Sequence, residues 1–137
     1  MKQQKLPLNK NGKTQPLQTT SFSTKAFNLE MQATDTDELP ERSRYYQSAL
    51  DLDDLNAGTD YKDLKTSYII FICVPDIFGK GLGKYTFENM CLENHKIKLN
   101  DRTYKYFFIA ENYAKILNED QKSFLRLVME NTPRFLS

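Results

Sequence analysis

Glu30 and Gln32 stand two residues apart in the run Phe27-Asn28-Leu29-Glu30-Met31-Gln32. Apolar Phe27, Leu29 and Met31 alternate there with polar Asn28, Glu30 and Gln32, and a period of two predicts a half-buried β-strand. Residues two apart on a strand face the same way and lie roughly 6.6 Å apart along it, so Glu30 and Gln32 are expected to project together from the polar side. A carboxylate beside a carboxamide offers oxygen ligands to a hard divalent cation and can orient a water or a phosphate. The same two residues would equally suit the wet face of an edge strand, where they meet only solvent.

The elements that would position this pair follow it in the chain. Thr36-Asp37 reads as a helix start, with Asp37 as N-cap and Pro40 inside the tolerated first turn. That helix is expected to reach about Leu55 and stop near Gly58. Leu39, Tyr46, Ala49 and Leu50 recur at helical spacing and are expected to face the core, while Arg42 and Arg44 point elsewhere. Asp60 to Lys65 reads as one more helical turn. Tyr68 to Val74 is apolar on both faces, as in an interior strand covered on two sides, and Pro75 ends it. Asp76-Ile77-Phe78-Gly79, with Gly81 and Gly83, reads as a loop. Tyr85 to Leu92 and Tyr104 to Ile109 read as strands joined across a turn at Asn100-Asp101. Glu119 to Glu130 is a predicted helix, capped by Asn118 with Gln121 in the capping-box position, stopped by Thr132-Pro133, with Phe124, Leu127 and Val128 as its apolar stripe. A helix between the strands around Leu29 and Ile70 predicts that they lie parallel and adjacent, with Tyr45 to Leu50 packed across them.

Taken in order, several blocks resemble one family. They are Asn28-Leu29-Glu30-Met31-Gln32, Glu38-Leu39-Pro40-Glu41-Arg42-Ser43-Arg44-Tyr45-Tyr46-Gln47-Ser48, Gly58-Thr59-Asp60-Tyr61, Leu64-Lys65, Ser67-Tyr68-Ile69-Ile70-Phe71-Ile72-Cys73, Asp76-Ile77-Phe78-Gly79 and Tyr85-Thr86-Phe87-Glu88-Asn89. Together they resemble the PD-(D/E)XK nuclease family transposases, also called recombination-promoting nucleases. The resemblance implies an α/β, restriction-endonuclease-like fold with a mixed central sheet and flanking helices, and Mg²⁺-dependent hydrolysis of DNA phosphodiesters. It implies that Glu30 is the acidic, metal-binding member of the second active-site motif. Gln32 stands where the wider superfamily has Lys and this family has Gln, and is expected to orient the attacking water. Arg42, Tyr45, Tyr46 and Gln47 match the helix behind the active site. Arg42, Arg44 and Gln47 are the expected DNA contacts, with Arg42 or Gln47 reaching a phosphate or holding Glu30 in place. Core packing and helix-surface polarity are the alternative for these positions, and packing is the expectation for Tyr46.

One part of the family's pattern is missing. The family places a catalytic Asp on the strand one hairpin before Glu30, and here no Asp or Glu precedes Glu30. Asp35 and Asp37 lie beyond the strand and are read as turn and cap residues. The expectation is therefore a domain incomplete on its N-terminal side and ending early, a truncated and weakly active or inactive endonuclease. The alternative is a non-catalytic remnant that binds DNA, or that pairs with a full-length relative or with itself.

Composition bounds the rest. A chain of 137 residues suits one small α/β domain, and a net charge of +1 gives no global argument for a nucleic-acid or membrane partner. The charge is uneven, because Lys2, Lys5, Lys10, Lys13 and Lys25 precede every acidic residue. Residues 1–26 are read as a basic, disordered leader outside the family's pattern, and 27–137 as the partial nuclease domain. A transit peptide and a phosphate-touching arm are the other readings of that leader. Cys73 and Cys91 read as reduced, buried thiols, and His95 in Glu93-Asn94-His95-Lys96 as a surface-loop residue. The apolar run Tyr68 to Val74 is far short of a membrane span, and a cytoplasmic location is expected.

Overall fold

The computed structural model describes residues 18–22 and 24–132. Five strands share one sheet: β1 (Gln18–Phe22), β2 (Lys25–Gln32), β3 (Thr66–Cys73), β4 (Lys84–Phe87) and β5 (Thr103–Ile109), in spatial order β1-β2-β3-β5-β4. Helix α1 (Leu39–Asn56) connects β2 to β3, and α2 (Glu119–Glu130) follows β5. Parallel neighbours need a crossover, and α1 provides it: β2 and β3 run parallel with Leu29 beside Ile70 and Met31 beside Ile72, as the sequence predicts. β3 and β5 are also parallel, while β1 and β4 are antiparallel partners and the outermost of the described strands. The architecture is mixed α/β.

The sequence reading has no strand before Ala26, yet β1 pairs with β2 from Gln18 opposite Leu29 to Phe22 opposite Lys25. Its Gln-Thr-Thr-Ser composition lacks the apolar alternation that marks a strand, and the antiparallel backbone pairing with β2 is not legible in that composition. Most of the expected leader, residues 1–17, lies outside the described residues.

The core sits between α1 and one face of the sheet. Leu39, Tyr46 and Leu50 are buried at the expected spacing, and they meet Ile69, Phe71 and Phe107. Phe71 stacks on Phe107 with ring centroids 5.1 Å apart and on Tyr46 at 6.1 Å. β3 is covered on both faces, because Ile72 packs with Ala110, Ile116 and Leu125 on the α2 side.

Four local readings are corrected. Asp37 is not the N-cap of α1: it adopts φ 59°, its N–H donates to Asp35 Oδ1 at 2.8 Å, and Glu38 flanks the helix without a side-chain cap. The Asx turn thus competes successfully for the role expected of a cap. On α2 the buried residue is Leu125, while Phe124 and Leu127 are exposed; Asn118 does cap this helix, accepting from the N–H of Gln121 at 2.9 Å. β4 ends at Phe87, after which Met90 and Lys98 pair alone in a narrow finger, so Cys91 is half-exposed instead of buried in a strand. Arg42 does not point away from the core, as described below.

Past β3, Asp76 organises the loop. Its Oδ1 accepts from the N–H groups of Phe78 and Gly79, its Oδ2 from Gly81 N–H and Asn112 Nδ2, and the Tyr85 hydroxyl donates to both oxygens. Gly79 and Gly81 have φ of 66° and 79°, which glycine adopts without a Cβ penalty. Desolvation pushes the Asp76 pKa up, but the hydrogen bonds from Gly81, Tyr85, Gly79 and Phe78 outweigh it and hold the carboxyl below its ordinary range. A depressed folded pKa stabilises fully above the unfolded value of about 3.9, and that stabilisation fades as pH falls through the folded value. Asp76→Ala is expected to cost about 1–3 kcal/mol in urea unfolding near neutral pH. It should also flatten the acid side of the stability profile. An unchanged midpoint, or an unchanged acid limb, would contradict this role.

Candidate active site

β2 carries its polar row inward. Asn28 and Glu30 are 2% and 7% exposed beneath α1, while Leu29 and Met31 are 37% and 53% exposed on the opposite face. The expected alternation is therefore present, but Glu30 and Gln32 leave the strand toward the helix rather than toward a wet edge. Register explains this: Asn28 lies beside Ile69 and Glu30 beside Phe71, both on the face that α1 covers. Glu30 and Gln32 also stand near the carboxyl end of parallel β2, where open α/β sheets place their ligands.

Two groups meet the Glu30 carboxylate, and a third holds one of them in place. Arg42, one turn into α1, pairs with Glu30 Oε1 through Nη2. Gln32 Nε2 donates to the same oxygen at 2.8 Å. The Tyr46 hydroxyl accepts from Arg42 Nε at 3.1 Å and from Nη2 at 2.8 Å, so Tyr46 packs, as expected, and also orients the guanidinium. Burial pulls the Arg42 pKa down, but the bond to Tyr46 and the charge on Glu30 outweigh it, and the net shift is upward. Burial, offset by the Arg42 bond and reinforced by Glu30, pushes Tyr46 up and keeps it a neutral phenol. Glu30 Oε2 is buried and has no hydrogen-bond partner among the described residues.

The remaining expected site residues lie elsewhere. Gln47 is committed to the fold, accepting from Ser67 Oγ at 2.5 Å and donating to Asp51 at 3.3 and 3.4 Å. Arg44 and Tyr45 are on the exposed side of α1, away from the covered face that carries Glu30. Asn28 was counted in sequence only as part of a polar face; its burial on both amide atoms is legible only once the covered face is known. Burial, then the charges of Asp35, Glu30 and Asp76, push the nearby Cys73 thiol up to about 12, so it is an inert core group.

For a divalent cation the donor set is all oxygen, as hard cations require, but it holds a single carboxylate. Among the described residues no group of three or more His, Cys, Asp and Glu could hold a metal ion. Such a site fits Mg²⁺ only at its lower limit, with phosphate oxygens completing the shell.

A mixed sheet with an inward Glu-x-Gln on a strand next to the crossover helix is consistent with a PD-(D/E)XK-like fold. Residues 16–129 match the family model of the PD-(D/E)XK nuclease family transposase, and the chain belongs to that family. The matched segment includes β1 as well as the Glu30 strand. No curated protein and no solved structure matches the chain. No helix among the described residues is long and apolar enough to cross a membrane.

Proposed function

We propose that this chain is a DNA-processing domain of the transposase-associated endonuclease type whose metal site works with one carboxylate. The observation that carries this is the buried Glu30 carboxylate gripped by Gln32 and Arg42 at the end of a parallel strand. A Mg²⁺ ion held by Glu30 and by substrate phosphates would lower the pKa of a bound water and offset phosphate charge. Gln32 donates its side-chain nitrogen to Glu30, which leaves its side-chain carbonyl oxygen as the acceptor to orient that water. Arg42 neutralises Glu30 in the resting protein, and its fork can turn to a phosphate oxygen when DNA arrives. Arg44, exposed on α1, is a candidate phosphate contact, whereas Gln47 acts through the α1–β3 tie.

The test is Mg²⁺-dependent cleavage and DNA binding by the purified chain and by Glu30→Ala. Whatever cleavage occurs must need both Mg²⁺ and Glu30; cleavage that persists in chelator or in Glu30→Ala refutes the assignment.

A second reading is a non-catalytic partner that pairs with a full-length relative or with itself. Exposed Leu29 and Met31 on β2, and Phe124 and Leu127 on α2, favour it, because they leave apolar surface in water. Light scattering of the chain alone and mixed with a full-length relative separates the two readings: a strictly monomeric, non-associating chain excludes pairing.

A further inference from the structure

The Asn28 side chain is used neither by the fold nor by the proposed chemistry. It is 2% exposed, and among the described residues neither its amide oxygen nor its amide nitrogen has a hydrogen-bond partner. The neighbouring Glu30 Oε2 is orphaned in the same way. Leaving a buried polar group unpaired costs about 1–3 kcal/mol, and two same-face neighbours of Asn28, Ala26 on its own strand and Ile69 beside it on β3, are apolar. A leucine would fill position 28 without that cost. Three unpaired polar atoms, one donor and two acceptors, on two residues of one strand face therefore call for a shared polar guest.

Gln32 shows what the spacing permits. It too is two residues from Glu30 on the same face, and it reaches Oε1 directly at 2.8 Å. Asn28 is one methylene shorter, so the equivalent approach to Oε2 from the other side leaves a gap. A buried water typically makes two to four hydrogen bonds to groups that would otherwise be unsatisfied. Here it can donate to Glu30 Oε2 and to the Asn28 amide oxygen and accept from the amide nitrogen.

We propose that Asn28 and Glu30 Oε2 share buried water, and that Asn28 is a positioning residue for the Glu30 carboxylate. The water turns Oε2 inward, so Glu30 presents only Oε1 on the side where Arg42 and Gln32 meet it. The consequence for cation binding rests on the nuclease reading given above; the water itself does not.

A high-resolution crystal structure decides the first part. Ordered water bonded to both Asn28 and Glu30 Oε2 is expected; an apolar void, or direct pairing of the two side chains, overturns the proposal. Titration with Mn²⁺ decides the positioning role. Asn28→Leu removes one anchor of the shared water and leaves Glu30 Oε2 unsatisfied, so it is expected to melt at or below the wild-type temperature. Its Mn²⁺ affinity is expected to fall about 10- to 100-fold, as when a group that orients a metal ligand is lost. Asn28→Ser, which keeps a hydroxyl and room for a second water, is expected to recover part of that affinity. A lower melting temperature with unchanged Mn²⁺ affinity would make Asn28 structural only and overturn the role. If the wild-type chain binds no Mn²⁺, the nuclease reading and the positioning role fall together, while the water in the density still decides the first part.

Discussion

With Mg²⁺ present, the purified chain is expected to cut DNA slowly or not at all, and to gain activity when a second carboxylate is supplied beside Glu30. The reasoning is electrostatic. Phosphodiester hydrolysis needs a cation held firmly enough to activate water and to offset charge on the phosphate. Glu30 contributes one negative charge, Arg42 cancels it at rest, and Gln32 adds none. Losing one preorganised stabilising group costs about 10²–10³ in rate, or roughly 3–4 kcal/mol, in well-studied active sites, and loss of a metal ligand should cost at least as much. β1 offers the place to restore it. It already pairs with β2 in antiparallel register, with Thr19 opposite Asn28, and the position diagonal to that pair on the same face is Glu30. Grafting an Asp-bearing strand at β1 from a relative that carries the second carboxylate is expected to raise the rate by about 10²-fold or more, and Glu30→Ala should abolish the gain. Two results would overturn this. Fast cleavage by the unmodified chain, lost in Glu30→Ala, would mean that another group completes the site. A graft that stays folded, binds Mn²⁺ more tightly and still cuts no faster would mean that charge is not what limits the chain.

The order and type of the main elements were readable because hydrophobic periodicity and stop signals are local. Tyr68 to Val74 is apolar on both faces and lies at the centre of the sheet, and Asn118 with Gln121 starts α2 as predicted. What a period of two does not contain is which face will be covered. Leu29 and Met31 looked like the inward set, yet the helix lies over Asn28 and Glu30. Hydrophobic burial would have chosen the other face, and the contacts of Glu30 with Arg42 and Gln32 accompany the departure from the local rule at this point. Helical spacing alone pointed Arg42 elsewhere, because helix periodicity contains nothing of a buried carboxylate twelve residues earlier; the family resemblance, which offered Arg42 or Gln47 as holding Glu30 in place, named the contact that is present. β1 escaped because Gln18 to Phe22 lacks the apolar alternation by which a strand is recognised in sequence. Glu30 and Gln32 were found as a pair through their spacing, whereas Asn28 became meaningful only when two unpaired amide atoms accompanied its burial.

Arg42→Ala is expected to lower stability and raise cation affinity together, and the opposing signs are the point of the experiment. Glu30 has a side chain only 8% exposed, and its charge is compensated chiefly by a guanidinium that is itself 20% exposed. Removing one partner of a buried pair costs about 3–5 kcal/mol, because a charge is left behind in low dielectric. The partial exposure of Arg42 puts the expected loss near the lower end, about 3 kcal/mol. Arg42→Lys keeps the charge but not the fork that bonds Glu30 and Tyr46 at once, so it should recover only part of the loss. Glu30→Gln combined with Arg42→Met removes both charges and keeps much of the volume. It should be more stable than Arg42→Ala, since a hydrophobic replacement for a buried pair is often neutral. Cation affinity moves the other way. Arg42 occupies the carboxylate oxygen that Gln32 also touches, so it competes with any cation for Glu30. Without it, Mn²⁺ becomes the available compensating charge, and because ligands stabilise the state they bind, Mn²⁺ should raise the melting temperature of Arg42→Ala more than that of the wild type. Urea unfolding with and without Mn²⁺ measures both effects in one series. A loss below about 1 kcal/mol would reduce the pair to the worth of a surface contact. An equal response to Mn²⁺ in wild type and variant would show that Arg42 does not compete with a cation for Glu30, leaving it a packing and orienting residue.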